Sequence, residues 1–192
     1  AGKYVSLDLT GSTMTEIMVN GEFTPGKYNT GEKYVISLTL PEGVTKLKTG
    51  GASGDSTFQY FVNLEEISGP KVERIGAEMF YAKCVNLRTV SFPVAKIIVG
   101  SSAFGGCKAL SSVYLPMIEA IGNVSFANTG PGPLTITLGA TAPSLDGGNG
   151  VFWNSQKNVT VRVPSGATGY DTAWQNTFKK GASFTGFRFE TY

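Results

Sequence analysis

Three stretches of this 192-residue chain are spaced copies of one another. Leu64-Glu65-Glu66-Ile67-Ser68-Gly69-Pro70, Leu87-Arg88-Thr89-Val90-Ser91-Phe92-Pro93 and Leu110-Ser111-Ser112-Val113-Tyr114-Leu115-Pro116 set their prolines 23 residues apart each time, and Cys84 and Cys107 are also 23 apart. After each proline the apolar positions recur: Val72 and Ile75, Ala95 and Ile98, Ile118 and Ile121. A glycine follows (Gly76, Gly100, Gly122), then a phenylalanine (Phe80, Phe104, Phe126). The second unit has one extra residue before its Phe and one fewer between Phe and Cys, so its length is kept. A period that survives a compensated shift marks a stacked structural unit.

A unit this short cannot bury its own apolar residues, so neighbours must bury them by stacking. Each unit carries a short strand of period two, with Val90 and Phe92 facing inward and Thr89 and Ser91 outward. One strand per unit implies a parallel sheet. Proline directly after the strand ends the ladder, because it has no N–H to donate. Weaker strands at 5–9, 35–40, 134–138 and 159–163 bring the count to seven candidates, a curved rod roughly 30 Å long at the usual strand spacing. The return segments show little helical periodicity and are expected to be loops and 3₁₀ turns. The recurring glycine is expected to permit a tight turn before the phenylalanine.

The ends depart from the period. Residues 18–33 read as an insertion or cap loop and 50–57 as a second loop. Thr168 to Asp171 resembles a capping box with Asp in place of Glu. It would start a helix from about Gly169 to Lys179, with Tyr170, Trp174 and Phe178 along one apolar stripe suited to plugging the last turn. Gly181 supplies the stop, and Phe184, Phe187 and Phe189 suggest a short final strand. The expected organisation is a single domain over 1–192: an N-terminal strand and cap loop at 1–33, repeats at 34–164, and a cap helix and strand at 165–192.

Composition narrows the chemistry. With no histidine, imidazole metal sites, His-containing triads and imidazole pH switches are excluded. A net charge of +2 gives no electrostatic footprint for nucleic acid. Glycine, at 25 residues, supplies the turns that many short strands need. The apolar runs are too short to insert in a membrane as a helix, and a signal peptide is presumed to have been removed from a longer precursor.

These residues closely resemble the BspA-type leucine-rich repeat family of bacterial surface proteins, whose repeat reads approximately L-x-x-V-x-L-P, a variable stretch, I-G, then A-F-x-x-C-x-x-L. Leu87 to Leu110 follows most of it, including Ser102-Ala103-Phe104-Gly105-Gly106-Cys107-Lys108-Ala109-Leu110, and Leu64 to Leu87 follows it with Ile75-Gly76, Phe80 and Cys84. The next unit keeps Ile121-Gly122 and Phe126 but has Gly130 where the cysteine would fall. The tail is also similar, with Ala140-Thr141-Ala142-Pro143, Val161-Arg162-Val163-Pro164 and the Tyr170/Trp174 helix. The resemblance spans about 34–180. It implies a leucine-rich repeat solenoid, a right-handed β/α superhelix bent into a horseshoe. It further implies secretion or cell-surface display, a binding or adhesion role, and no enzyme activity.

Strand alternation gives the candidate site: an outward face of Ser6, Asp8, Ser37 and Thr39, then Glu66, Ser68, Thr89, Ser91, Ser112, Tyr114, Thr135, Thr137, Thr160 and Arg162. It is mostly hydroxyls and nearly uncharged, with Tyr114, Glu66 and Arg162 as relief; Tyr and Arg are enriched at interface hot spots. Threonine also simply suits a solvated strand. The expected ligand is a host or neighbouring-cell protein or glycan, with no nucleic acid partner, no cofactor and no metal. A monomer is expected.

Other features carry less chemistry. Cys84 and Cys107 share a slot in adjacent turns, close enough for a disulfide, although buried thiols acting as small hydrophobes fit better. Gly50–Asp55 lacks the lysine of a phosphate-binding loop, and Asp146–Gly150 lacks a second acid for calcium. Glu65 and Glu66 lie on opposite strand faces and cannot converge as glycosidase carboxylates do. The competing readings are a structural spacer or accessory domain of a larger surface protein and, further off, a carbohydrate-active enzyme.

Overall fold

The strand-proline pattern becomes a ladder of parallel strands in the computed structural model, which describes residues 3–15, 17, 31–48, 58, 61–146 and 148–192. Of the two expected loops, 50–57 and all but 31–33 of 18–33 lie outside the described residues. Eight strands form the main sheet in the order β1 (Val5–Asp8), β2 (Val35–Thr39), β4 (Glu66–Ser68), β6 (Thr89–Ser91), β8 (Ser112–Tyr114), β10 (Gly132–Thr137), β12 (Lys157–Val163) and β13 (Gly186–Thr191). All neighbours are parallel. Seven were expected; the segment carrying Phe187 and Phe189 joins the same sheet as its eighth member. The proline rule is visible in the bonding. Leu40, Gly69, Phe92 and Leu115 each donate the last N–H to the next strand, to the carbonyls of Ser68, Ser91, Tyr114 and Thr137. Proline follows each of them.

The return segments are more regular than the sequence suggested. A second parallel sheet of two-residue strands runs β11 (Ser144–Leu145), β9 (Ala120–Ile121), β7 (Ile97–Ile98), β5 (Arg74–Ile75) and β3 (Lys46–Leu47). Two residues are too few to show a period, so Ile75, Ile98 and Ile121 read only as apolar contacts. The only 3₁₀ turn among the described residues is Glu32–Tyr34, ahead of β2.

Inside, the phenylalanines form a spine. Phe58, Phe80, Phe104, Phe126 and Phe152 stack with centroids 4.9, 5.0, 5.2 and 5.2 Å apart and planes within 15° of parallel. The spacing follows the strand spacing, because each turn contributes one ring. Such pairs add about 0.5–1.5 kcal/mol beyond area burial. Phe58 and Phe152 extend the spine past the three clear repeats.

The recurring glycine does not play the role expected of it. Gly100 has a left-handed backbone (φ 72°), whereas Gly76 and Gly122 do not. Val99 takes the slot of those two: the N–H groups of Gly76, Val99 and Gly122 donate to Leu47, Ile75 and Ile98. Gly100 is therefore the extra residue of the second unit, absorbed in a positive-φ bend. Gly122 is required by space, since a Cβ there would collide with the Gly100 carbonyl oxygen.

The last turn is closed by α1 (Thr172–Lys179). Its N-cap is Asp171, not Thr168: the Asp171 carboxylate accepts the Trp174 N–H at 2.9 Å. Thr168 instead bridges Thr141 in the preceding turn. The short Asp171 carboxylate accepts from the third helical N–H, as an N-cap side chain does. Gly181 follows the helix with φ 69°. Trp174 stacks on Phe178 at 4.6 Å and donates its indole N–H to the Pro143 carbonyl, which ties the helix to the previous turn.

Candidate contact face

In-register pairing turns the outward residues into two unbroken rows. One runs Asp8, Thr39, Ser68, Ser91, Tyr114, Thr137, Arg162, Glu190; the other runs Ser6, Ser37, Glu66, Thr89, Ser112, Thr135, Thr160, Arg188. Every residue singled out from strand alternation stands in one of these rows. Arg188 and Glu190 were missed, because the final strand was read only from its phenylalanines. Their alternation with Phe187 and Phe189 was the available signal.

The rows are not uniformly accessible. Tyr114 is 42% exposed and Glu66 is exposed, but Thr137 and Thr160 are only 8% and 5% exposed. Those two are corrections to the candidate surface. Thr137 is recessed between its register neighbours Tyr114 and Arg162, and Thr160 has Arg188 beside it; at about 4.8 Å between strands, long side chains shade short ones. They shape the floor of the face and offer little area for contact.

Electrostatics divide the face along its length. At the first strand, Asp8 accepts from the Thr10 N–H at 3.0 Å and the Thr10 hydroxyl at 2.7 Å, bonds that hold its carboxyl below the usual carboxylate range. In the middle, hydroxyls dominate; Ser68 donates to the Thr39 hydroxyl oxygen at 3.2 Å. At the far end, the Arg162 guanidinium lies 5.3 Å from the Tyr192 ring centroid, and Arg188 pairs with Glu190 at 3.0 Å. The Tyr192 hydroxyl donates to the Leu138 carbonyl, so the ring that braces Arg162 is itself anchored.

The cysteines lie away from this face. Both are free and buried. Cys84 donates to the Phe58 carbonyl at 3.0 Å and Cys107 to the Phe80 carbonyl at 3.6 Å, in each case to the spine residue one turn back. Ser155 repeats the arrangement, donating to the Phe126 carbonyl at 2.9 Å. In these three turns the slot holds a small donor. Burial pushes the Cys84 thiol up to about 12 and the Cys107 thiol well above its ordinary value. Such thiols are poor nucleophiles. Lys157 is also buried, with Nζ donating to the carbonyls of Lys108 and Pro131 at 3.1 and 3.2 Å, and burial lowers its pKa. Among the described residues there is no group of three or more Cys, Asp or Glu that could hold a metal ion, and no helix long and apolar enough to cross a membrane. Of the loops weighed above, 50–55 and residue 147 lie outside the described residues.

Residues 31–159 match the BspA type leucine-rich repeat region in six copies. No curated protein and no solved structure matches the chain.

Proposed function

The chain belongs to the BspA-type leucine-rich repeat family, and from this premise we propose that it is a non-enzymatic binding or adhesion module of a secreted or surface-displayed bacterial protein. It recognises a host or neighbouring-cell protein or glycan through the polar rows of the main sheet. The observation that carries this reading is the continuity of those rows: hydroxyl side chains stand in register from strand to strand, with Tyr114 rising among them. Hydroxyls both donate and accept, so they suit an extended polar ligand without imposing one charge. A sheet packed on an aromatic spine is rigid, which lowers the ordering cost of binding. Tyr114 and Arg162 supply the residue types that concentrate binding energy.

The test is an array of glycans and host proteins probed with the wild-type chain and with a variant in which Glu66, Tyr114 and Arg162 are all replaced by alanine. Loss of about tenfold or more in affinity is expected if hot-spot residues are removed. Unchanged binding removes this face as the site. Turnover of a polysaccharide, abolished by a single carboxylate substitution, replaces the reading with a carbohydrate-active enzyme.

A further inference from the structure

The main sheet ends at β13 with nothing hydrogen-bonded to its outer side among the described residues. An unpaired edge is a ready template for another strand. Which groups it presents follows from the bonding of the parallel ladder. Residues of the polar rows bond back to the preceding strand: the Ser112 N–H donates to Arg88, and the Tyr114 carbonyl accepts from Phe92. Core residues bond forward, as Leu115 N–H does to Thr137. Tyr192 keeps this alternation, donating back to Val163. The backbone N–H and C=O groups of Phe187, Phe189 and Thr191 therefore point out of the free edge.

We propose that two copies of this chain join edge to edge through β13, antiparallel about a twofold axis centred on Phe189. In that register Phe189 exchanges both hydrogen bonds with the partner's Phe189, and Phe187 does so with the partner's Thr191. The pair between them sets Arg188 directly opposite the partner's Glu190, and by symmetry Glu190 opposite the partner's Arg188. Directly opposed residues at a non-hydrogen-bonded position lie about 4.5 Å apart at Cα, where opposite charges attract and like charges repel. Within one protomer Arg188 pairs with Glu190 at 3.0 Å, so the dimer exchanges these two pairs for two crossed ones. A sequence that is its own complement about a single residue is what a twofold interface requires. The aromatic end layer adds to this: Trp174, Phe184, Phe187 and Phe189 are only half-buried. The dimer joins the two polar faces into one continuous sheet and replaces the monomer expected from the sequence.

Light scattering coupled to size-exclusion chromatography tests the interface. The wild-type chain is expected at twice the mass of one chain, with the larger species gaining as concentration rises. Thr191→Pro removes an outward N–H and no bond within the protomer, so it is expected to give a single-chain mass with an unchanged circular dichroism spectrum. Arg188→Glu places like charges opposite each other and is expected to give a single-chain mass; Arg188→Glu combined with Glu190→Arg restores complementarity and is expected to restore the dimer. The proposal is overturned by a single-chain mass for the wild type at every concentration, or by a dimer that neither Thr191→Pro nor Arg188→Glu weakens. A ladder of higher masses also overturns it, because that would mean head-to-tail addition of β13 onto β1.

Discussion

Each full turn bends at two left-handed residues, placed two before and two after the spine phenylalanine. The first set is Glu78, Ser102, Val124 and Gly150, with φ of 54°, 59°, 47° and 98°; the second is Ala82, Gly106, Asn128 and Asn154, with φ of 65°, 80°, 55° and 54°. Asparagine tolerates this region, and Asn154 donates to the Asn128 side-chain oxygen at 2.8 Å, but alanine has no compensating bond to make. A left-handed backbone costs an ordinary L-residue about 1–2 kcal/mol, and part of that is recovered by glycine after its extra unfolded-state entropy. Ala82 is exposed, so Ala82→Gly loses no packing and is expected to raise unfolding free energy by about 0.5–1 kcal/mol. Urea midpoints at constant slope would measure it, and a lower midpoint would contradict the strain argument. The buried thiol gives a second residue-level test. An unfolded thiol titrates at its ordinary value of about 9.0, whereas folded Cys84 is held up to about 12. Above pH 9 the unfolded state loses a proton that the fold retains, so stability falls as pH rises towards 12. Lys157 acts in the opposite sense, because its lowered pKa lets the fold shed a proton before the unfolded chain does. The comparison is therefore between wild type and Cys84→Ser, whose hydroxyl fills the slot as Ser155 does. The variant is expected to lose less stability between pH 8 and pH 11 (about one unit below and two above the thiol's unfolded value). Equal slopes would place the thiol in solvent.

At the scale of elements, the sequence shows the main-sheet strands and their proline stops clearly, and the second sheet and the helix start poorly, for physical reasons. Proline after Leu115 or Phe92 is a local, chemical stop, and the alternation of Val90 with Thr89 and Ser91 is a local signal of facing. The strands of the second sheet are two residues long, shorter than any period, and become visible only when Ile75, Ile98 and Ile121 are stacked in register. The outward face was legible as a register from β1 to β12, but Arg188 and Glu190 on β13 were not, and neither was the shading of Thr137 and Thr160, since it depends on which residues the neighbouring strands place beside them. The helix start shows the same limit. Thr168 and Asp171 are both good caps by type; a tertiary bridge to Thr141 commits Thr168 elsewhere and leaves Asp171 to cap. Asp171→Ala is accordingly expected to cost about 1 kcal/mol in stability. In Thr168→Ala the Trp174 N–H should keep its hydrogen-exchange protection, while in Asp171→Ala it should lose it. Protection retained at the Trp174 N–H in Asp171→Ala would remove Asp171 as the cap.

For the whole molecule, the spine makes the solenoid a chain of nearest-neighbour contacts whose strength differs from middle to end. Phe104 is fully buried between Phe80 and Phe126, so its loss breaks two ring contacts and opens a cavity in the middle of the array. Phe104→Ala is expected to cost about 3–5 kcal/mol. Stacked repeats unfold as coupled units, and the weakest interface decides where the coupling fails. In the wild type the centre is flanked by turns on both sides, α1 packs on the last turn, and among the described residues β1 pairs only with β2, with Val5 exposed. Amide exchange should be slowest at Val90 and Val113 and fastest in β1. In Phe104→Ala the weakest interface moves to the centre, so Val90 and Val113 should lose most of their protection relative to β12. Uniform loss across all strands would mean that the solenoid unfolds in one step and that the spine couples every turn to every other. Protection lost only at the ends would mean that the phenylalanine stack contributes little, and that the hydrogen-bonded sheet alone holds the turns together.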